Sequence, residues 1–225
     1  MKKLRLILGD QLNYNHTWYK KKDPDTTYLI MEMRQETDYV IHHAQKVIGF
    51  FAAMYNFSRY LSKNGHSVIH LKINDKENAQ SLNENLNYFI KKLKIEKFEY
   101  QLPDEYRLDE QLNKFCQSLK IKFEVFDSEH FLSTRTELKN FFHGKKTFLL
   151  ESFYRYMRKK HQVLMKGDKP VGEQWNFDSE NRKPFKGNFP EGLQKFYPKD
   201  FSEIWKEIKK ARVKCFGEPN EKEFI

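Results

Sequence analysis

Leu4-Arg5-Leu6-Ile7-Leu8, closed by Gly9-Asp10, opens the chain. A short apolar run bounded by a turn residue reads as a buried strand. The same pattern returns at Thr27-Tyr28-Leu29-Ile30-Met31, which ends at Glu32. Between Val40 and Lys63 the period changes: Val47, Ile48, Phe51, Met54, Tyr55 and Leu61 recur at helical spacing, and Asn64-Gly65 supplies a stop. Further strands are expected at His66–Leu71, Lys97–Tyr100 and Ile121–Phe126, alternating with helices at Ser81–Leu93 and Tyr106–Leu119. Parallel strands need long crossovers, so this alternation predicts a three-layer α/β domain on a mostly parallel, doubly wound, Rossmann-like sheet, with the first strand at its centre.

The alternation ends near Asp127. Thr134-x-x-Glu137 reads as a capping box that opens a helix to Phe142, and a second helix is expected over Phe148–Val163. Gly167–Pro190 is rich in Gly, Pro, Asn and Asp without a period and reads as a long connector. A last amphipathic helix is expected over Phe201–Cys215. The resulting division is an α/β domain at 1–132, a helical extension at 133–166, a connector at 167–200 and a further helical segment at 201–225.

The 225 residues carry 41 Lys and Arg against 31 Asp and Glu, a net charge of +10 that favours anionic partners or reflects a lysine-rich surface. Hydrophobic residues make up 39% and aromatic residues 16% of the chain, which places it among folded proteins. The two cysteines, Cys116 and Cys215, form no C-x-x-C pair, so neither a disulfide framework nor a thiolate metal site is readable, and a reduced, cytoplasmic setting is expected. The apolar run after Met1-Lys2-Lys3 is too short for a signal sequence or a membrane span.

Three stretches carry candidate chemistry. Gly9, Asp10, Gln11 and Asn13 follow the first strand, where α/β sheets bind ligands, although an ordinary turn has the same composition and no G-x-G-x-x-G fingerprint is present. Glu32, Arg34, Gln35, Glu36, Thr37, Asp38 and Tyr39 follow the second strand; with Tyr39 or Phe50 to stack, they suit a flat polar ligand, or else cap a helix. His42-His43, as neighbours on a helix, would point about 100° apart and make a poor metal pair. Arg155, Arg158 and Lys160, interleaved with Phe153, Tyr154 and Tyr156, fit either nucleic-acid contact or a solvated basic face. No nucleophile or Walker motif is present.

Leu6-Ile7-Leu8-Gly9-Asp10-Gln11-Leu12, Glu36-x-x-Tyr39-Val40-x-His42-His43, Tyr154-Arg155-x-Met157-Arg158-x-Lys160 and Trp175-Asn176-Phe177-Asp178-x-Glu180-Asn181-Arg182 together resemble the deoxyribodipyrimidine photolyase-related family of iron–sulfur bacterial cryptochromes and (6-4) photolyases. The resemblance implies a photolyase-type N-terminal antenna domain, with 201–225 as the start of a helical flavin domain. It implies a ribityl-lumazine held by Gly9, Asp10, Gln11, Glu36 and Tyr39 with Phe50 near the mouth. It also implies that FAD, a [4Fe–4S] cluster and the DNA-lesion pocket belong to a flavin domain, present in cis or in trans, that this chain does not contain. Arg155, Arg158, Lys160, Trp175 and Arg182 then fall at a nucleic-acid or interdomain surface. Two cysteines cannot supply four thiolates, so the chain alone is expected not to repair DNA; the alternative is a stand-alone binder of a nucleotide-like ligand or of nucleic acid.

Overall fold

A computed structural model describes residues 1–177 and 199–219, together with residues 182, 184 and 187. In chain order the elements are β1 (Lys3–Ile7), a single 3-10 turn (Thr17–Tyr19), β2 (Thr26–Met31), α1 (Gln35–Asp38), β3 (His42–His43), α2 (Ala44–Lys63), β4 (Ser67–Leu71), α3 (Leu82–Lys92), β5 (Lys97–Gln101), α4 (Tyr106–Ser118), β6 (Lys122–Phe126), α5 (Glu137–Phe142), α6 (Leu150–His161), β7 (Met165–Lys166), β8 (Lys169–Pro170), α7 (Ser202–Lys210) and β9 (Cys215–Phe216). They cluster into two compact units, Met1–Ser128 with Lys195–Ile225, and Glu129–Gln194.

In the first unit five parallel strands pair in the order β4-β2-β1-β5-β6. The three-layer, doubly wound α/β fold expected from the alternation is thus the observed one, with β1 at the centre. Side-chain alternation along the strands divides the core. Leu4, Leu6, Leu8, Leu29, Met31, Phe98 and Tyr100 face α3 and α4 in one cluster. Ile7, Tyr28 and Ile30 face Val47, Ile48, Phe51, Met54, Phe57 and Leu61 of α2 in the other. Burying each large apolar side chain contributes roughly 1.5–3 kcal/mol, so the stripe on α2 fixes that helix to the sheet. The helix stops where the sequence indicates: Gly65 turns at φ +81°, and His66 N–H returns to the Leu61 carbonyl at 3.1 Å.

Its start differs from the expected Val40. Val40 and Ile41 are exposed, and β3 pairs with β9 from the far end of the chain, so α2 begins at Ala44 with the His43 Nδ1 accepting from Gln45 N–H at 3.1 Å. This pairing also shortens the last helix, which ends at Lys210 rather than Cys215. The segment from 201 onward, assigned by resemblance to a flavin domain, here joins the α/β unit. Ile208 and Val213 are buried in the α2-side cluster, and Glu207 receives hydrogen bonds from Lys72 Nζ (2.8 Å) and Asn74 Nδ2 (2.7 Å).

The second unit packs α5 against α6 through Phe141, Phe142, Phe153 and Tyr156. The capping box forms by half: Thr134 N–H donates to Glu137 Oε2 at 3.3 Å, but the helix begins only at Glu137, whose other oxygen accepts from Tyr156 and Lys160. The stretch read as a periodless connector begins inside the β7–β8 hairpin and contains its turn and second strand. Much of the remainder of 167–200, including Asp178, Glu180 and Asn181, lies outside the described residues. Among the described residues no helix is long and apolar enough to cross a membrane.

One ion cluster lies inside the sheet layer. Arg5 donates to Glu99 (2.7 Å), Tyr28 (3.0 Å) and the Trp18 carbonyl (3.3 Å), and Lys97 lies 2.8 Å from Glu99. Burial pushes the Glu99 carboxyl up, but hydrogen bonds from Lys97 and Arg5 outweigh it and hold the group below the ordinary carboxylate value. Because the folded value is depressed, this stabilisation is fully present above the ordinary carboxylate range and is lost as pH falls from that range through the lower folded value. Glu99→Ala leaves the largely buried Arg5 guanidinium without its carboxylate, with only Tyr28 and the Trp18 carbonyl as partners, and urea unfolding at neutral pH should show a loss of about 3–5 kcal/mol. The double replacement of Arg5 and Glu99 by Leu should recover most of it; a single-variant loss below about 1 kcal/mol would show that the pair does not hold the sheet.

Candidate functional site

The crossovers change direction between β1 and β5, and the crevice at the carboxyl ends of those strands is where open α/β sheets take ligands. A cavity of about 310 Å³ lies there, lined by Leu8, Gly9 and Asp10 after β1, Gln35, Glu36 and Tyr39 of the turn after β2, Phe50 of α2, and Glu105, Arg107 and Leu108 at the start of α4.

The turn after β1 is shaped by two side chains. Gln11, buried to 1% exposure, accepts from Leu8 N–H at 3.1 Å and donates to the carbonyls of Gln101 and Leu102, both at 3.2 Å. It ties the ends of β1 and β5 together beneath the cavity and is not among the lining residues. Gly9 is required by close approach: a Cβ built on it would lie 2.2 Å from Phe50 Cζ. The ring of Phe50 therefore closes directly over the backbone at the cavity wall.

The opposite wall is tied to its neighbours. Arg34 donates to Asp38 (2.8 Å) and to the Ala211 carbonyl (2.5 Å), its N–H donates to Gln80, and Gln35 donates to Gln111 of α4 at 2.8 Å. Burial raises the Glu36 carboxyl above its ordinary value; Asp10 and Glu105 raise it further, and Arg107 opposes them. Arg107 also pairs with Glu105, and its guanidinium lies 5.0 Å from the centre of the Tyr39 ring. Tyr39 is 56% exposed and stands at the rim. The arrangement offers an aromatic wall, apolar patches at Leu8 and Leu108, and carboxyl groups placed to hydrogen-bond a polar ligand.

Gly9, Asp10, Glu36, Tyr39 and Phe50 thus line one cavity, while Gln11 supports it. Sequence reading named Gln35 with the residues after the second strand but missed Glu105, Arg107 and Leu108. The signal available was Pro103-Asp104-Glu105 directly after β5, but only strand order reveals that β5 is the neighbour of β1 across the switch point. His42 and His43 belong to β3, not to a helix, and among the described residues no group of three or more His, Cys, Asp or Glu side chains converges as for a metal.

In the second unit, Arg158 is 7% exposed and donates to the carbonyls of Val163 (3.1 Å), Leu164 (2.7 Å) and Trp175 (3.3 Å) and to Tyr154 Oη (3.2 Å). It holds the end of α6, the hairpin and Trp175 together. Arg155 pairs with Glu151 at 2.9 Å and lies 5.3 Å from the Trp175 ring centre, and Lys159 lies 5.8 Å from it. Lys160 pairs with Glu137 at 2.5 Å. Arg182 is exposed.

The family model described as deoxyribodipyrimidine photo-lyase-related protein matches residues 5–224. The chain is 36% identical over 188 residues to a (6-4) photolyase of Agrobacterium fabrum, a match covering 82% of this chain and 36% of that one. It is 30% identical over 192 residues to uncharacterized protein R852 of Acanthamoeba polyphaga mimivirus, covering 81% of this chain and 94% of that one. The chain therefore spans about a third of the length of the (6-4) photolyase that it matches. On the match across residues 5–224, the chain belongs to the deoxyribodipyrimidine photolyase-related protein family.

Proposed function

We propose that the switch-point cavity is an antenna-chromophore site of a photolyase- or cryptochrome-related flavoprotein, that it takes a ribityl-lumazine, and that the chain by itself does not repair DNA. The observation that carries this reading is the convergence of Gly9, Asp10, Glu36, Tyr39 and Phe50 on one cavity of about 310 Å³, within the size range of small-molecule sites. The residues suit such a ligand. Phe50 and Tyr39 present flat faces to a heterocycle, Leu8 and Leu108 exclude water, and Asp10 and Glu105 accept from ribityl hydroxyls. Bound there, the chromophore supplies absorption of blue light and transfer of that excitation to a flavin.

The residues do not suit an iron–sulfur cluster. The whole chain holds two cysteines, and burial pushes the Cys116 thiol up to about 11, away from the thiolate that a cluster needs. FAD and the [4Fe–4S] cluster are assigned to the length of a full-size relative that this chain does not span, and DNA to the complete assembly. A second reading, a stand-alone binding protein, is favoured by the mimivirus relative, 94% of which is covered by its match to this chain.

Titration of the 225-residue chain with 6,7-dimethyl-8-ribityllumazine should give saturable binding with a shifted absorption band; no binding overturns the antenna reading. Gly9→Ala forces the Phe50 ring out of its place, and this variant should bind at least about tenfold more weakly while keeping its circular dichroism spectrum. For nucleic acid, Arg155→Ala with Lys159→Ala should lower affinity and flatten the dependence on salt. Unchanged binding would leave these cations as partners of Glu151 and Trp175 alone.

A further inference from the structure

Three carboxyl side chains, Asp10, Glu36 and Glu105, line the switch-point cavity, and the single cation among its described lining residues is Arg107. That guanidinium is paired with Glu105 and lies against the Tyr39 ring. The neighbouring cation Arg34 is held by Asp38 and by the carbonyls of Ala211 and Arg212. In switch-point sites that take phosphates, the anion sits on a helix N-terminus. Here the N-terminus of α4 does border the cavity, but its N-cap is Glu105 and its first turn carries Asp109, so negative side chains already occupy the field of that helix end. The N–H groups of Glu36 and Thr37 in α1 are bonded to the carbonyls of Met33 and Arg34 and are not offered to a ligand.

We infer that this cavity selects an uncharged, hydroxyl-bearing heterocycle over the phosphate ester of the same heterocycle, through Asp10, Glu105 and Glu36. The inference rests on the reading of the cavity as a ribityl-heterocycle site and adds its charge selection. A phosphate monoester brings about −1.5 to −2 charges at neutral pH to a cavity where carboxyl groups outnumber cations, and like charges brought together raise the free energy of the complex. A neutral polyol meets the same carboxylates as hydrogen-bond acceptors for its hydroxyls.

Glu36 adds a second element. The groups that face it are Asp10 from the β1 turn, Glu105 and Arg107 from the start of α4, and Tyr39 from its own turn. Burial and the two carboxylates favour its protonated form, which donates to a carbonyl or ring nitrogen of a heterocycle, as an ionised carboxylate does not. Rising pH removes this donor and adds a negative charge, so affinity falls as pH rises through the elevated value.

Riboflavin and flavin mononucleotide share ring and ribityl chain and differ by one phosphate, and their fluorescence reports binding to the 225-residue chain. Riboflavin should bind at least about tenfold more tightly than the mononucleotide, and the joint variant Asp10→Asn, Glu105→Gln should narrow that ratio. Affinity for riboflavin should fall as pH rises above the ordinary carboxylate range, and Glu36→Gln should abolish this dependence. Equal affinity for the two flavins overturns the selection and leaves the antenna reading standing. If neither the flavins nor the ribityllumazine bind, both fall together.

Discussion

The side-chain amide of Gln11 bridges the two strands between which the winding of the sheet reverses. β1 and β5 are neighbours in space, but 94 residues separate Arg5 from its partner Glu99. Where their carboxyl ends diverge into different loops, backbone groups lose their ladder partners. Gln11 replaces them with one accepted and two donated hydrogen bonds from a buried side chain. The crevice above can then stay open to a ligand without leaving polar backbone unsatisfied below. Gly9 and Phe50 complete this arrangement, because the turn that Gln11 closes brings the backbone of Gly9 against an aromatic ring.

The same sheet carries a contrast in how it treats charge. Within the layer, Glu99 is surrounded by Arg5 and Lys97 and stays ionised. At the crevice, Glu36 is raised by burial and by Asp10 and Glu105. Two carboxyls on one scaffold are pushed in opposite directions by their neighbours, the pattern by which structural and ligand-facing ionisable groups are told apart. The depressed group binds strands together; the raised one faces a cavity.

Most of the architecture was legible in the chain because it follows from local patterns. Five short apolar runs gave the strands of the sheet within a residue or so, and Asn64-Gly65 gave the end of α2. What failed were features that depend on partners distant in sequence. Val40 and Ile41 extend the helical period of α2, yet β3 pairs with β9 more than 170 residues later, and no local signal announces that. The cavity was legible by half for a related reason. Residues after β1 and β2 were identified from polar groups at strand ends and from the resemblance, whereas Glu105 and Arg107 become cavity residues only once β5, not β2, is known to flank β1 across the reversal.

The basic stretch on α6 shows where composition misleads. Arg155, Arg158, Lys159 and Lys160 read as one charged band, but a helix distributes them to different faces. Arg158 points inward, and its guanidinium binds three carbonyls and a tyrosine hydroxyl, a fork geometry that lysine cannot reproduce. Lys160 neutralises Glu137, itself 9% exposed. Arg155 and Lys159 are left around the Trp175 ring, where a cation and an aromatic face share one surface. The basic residues of α6 are thus divided between groups that hold the second unit together and an exposed pair beside an aromatic ring, so a net charge of +10 does not by itself locate a partner surface.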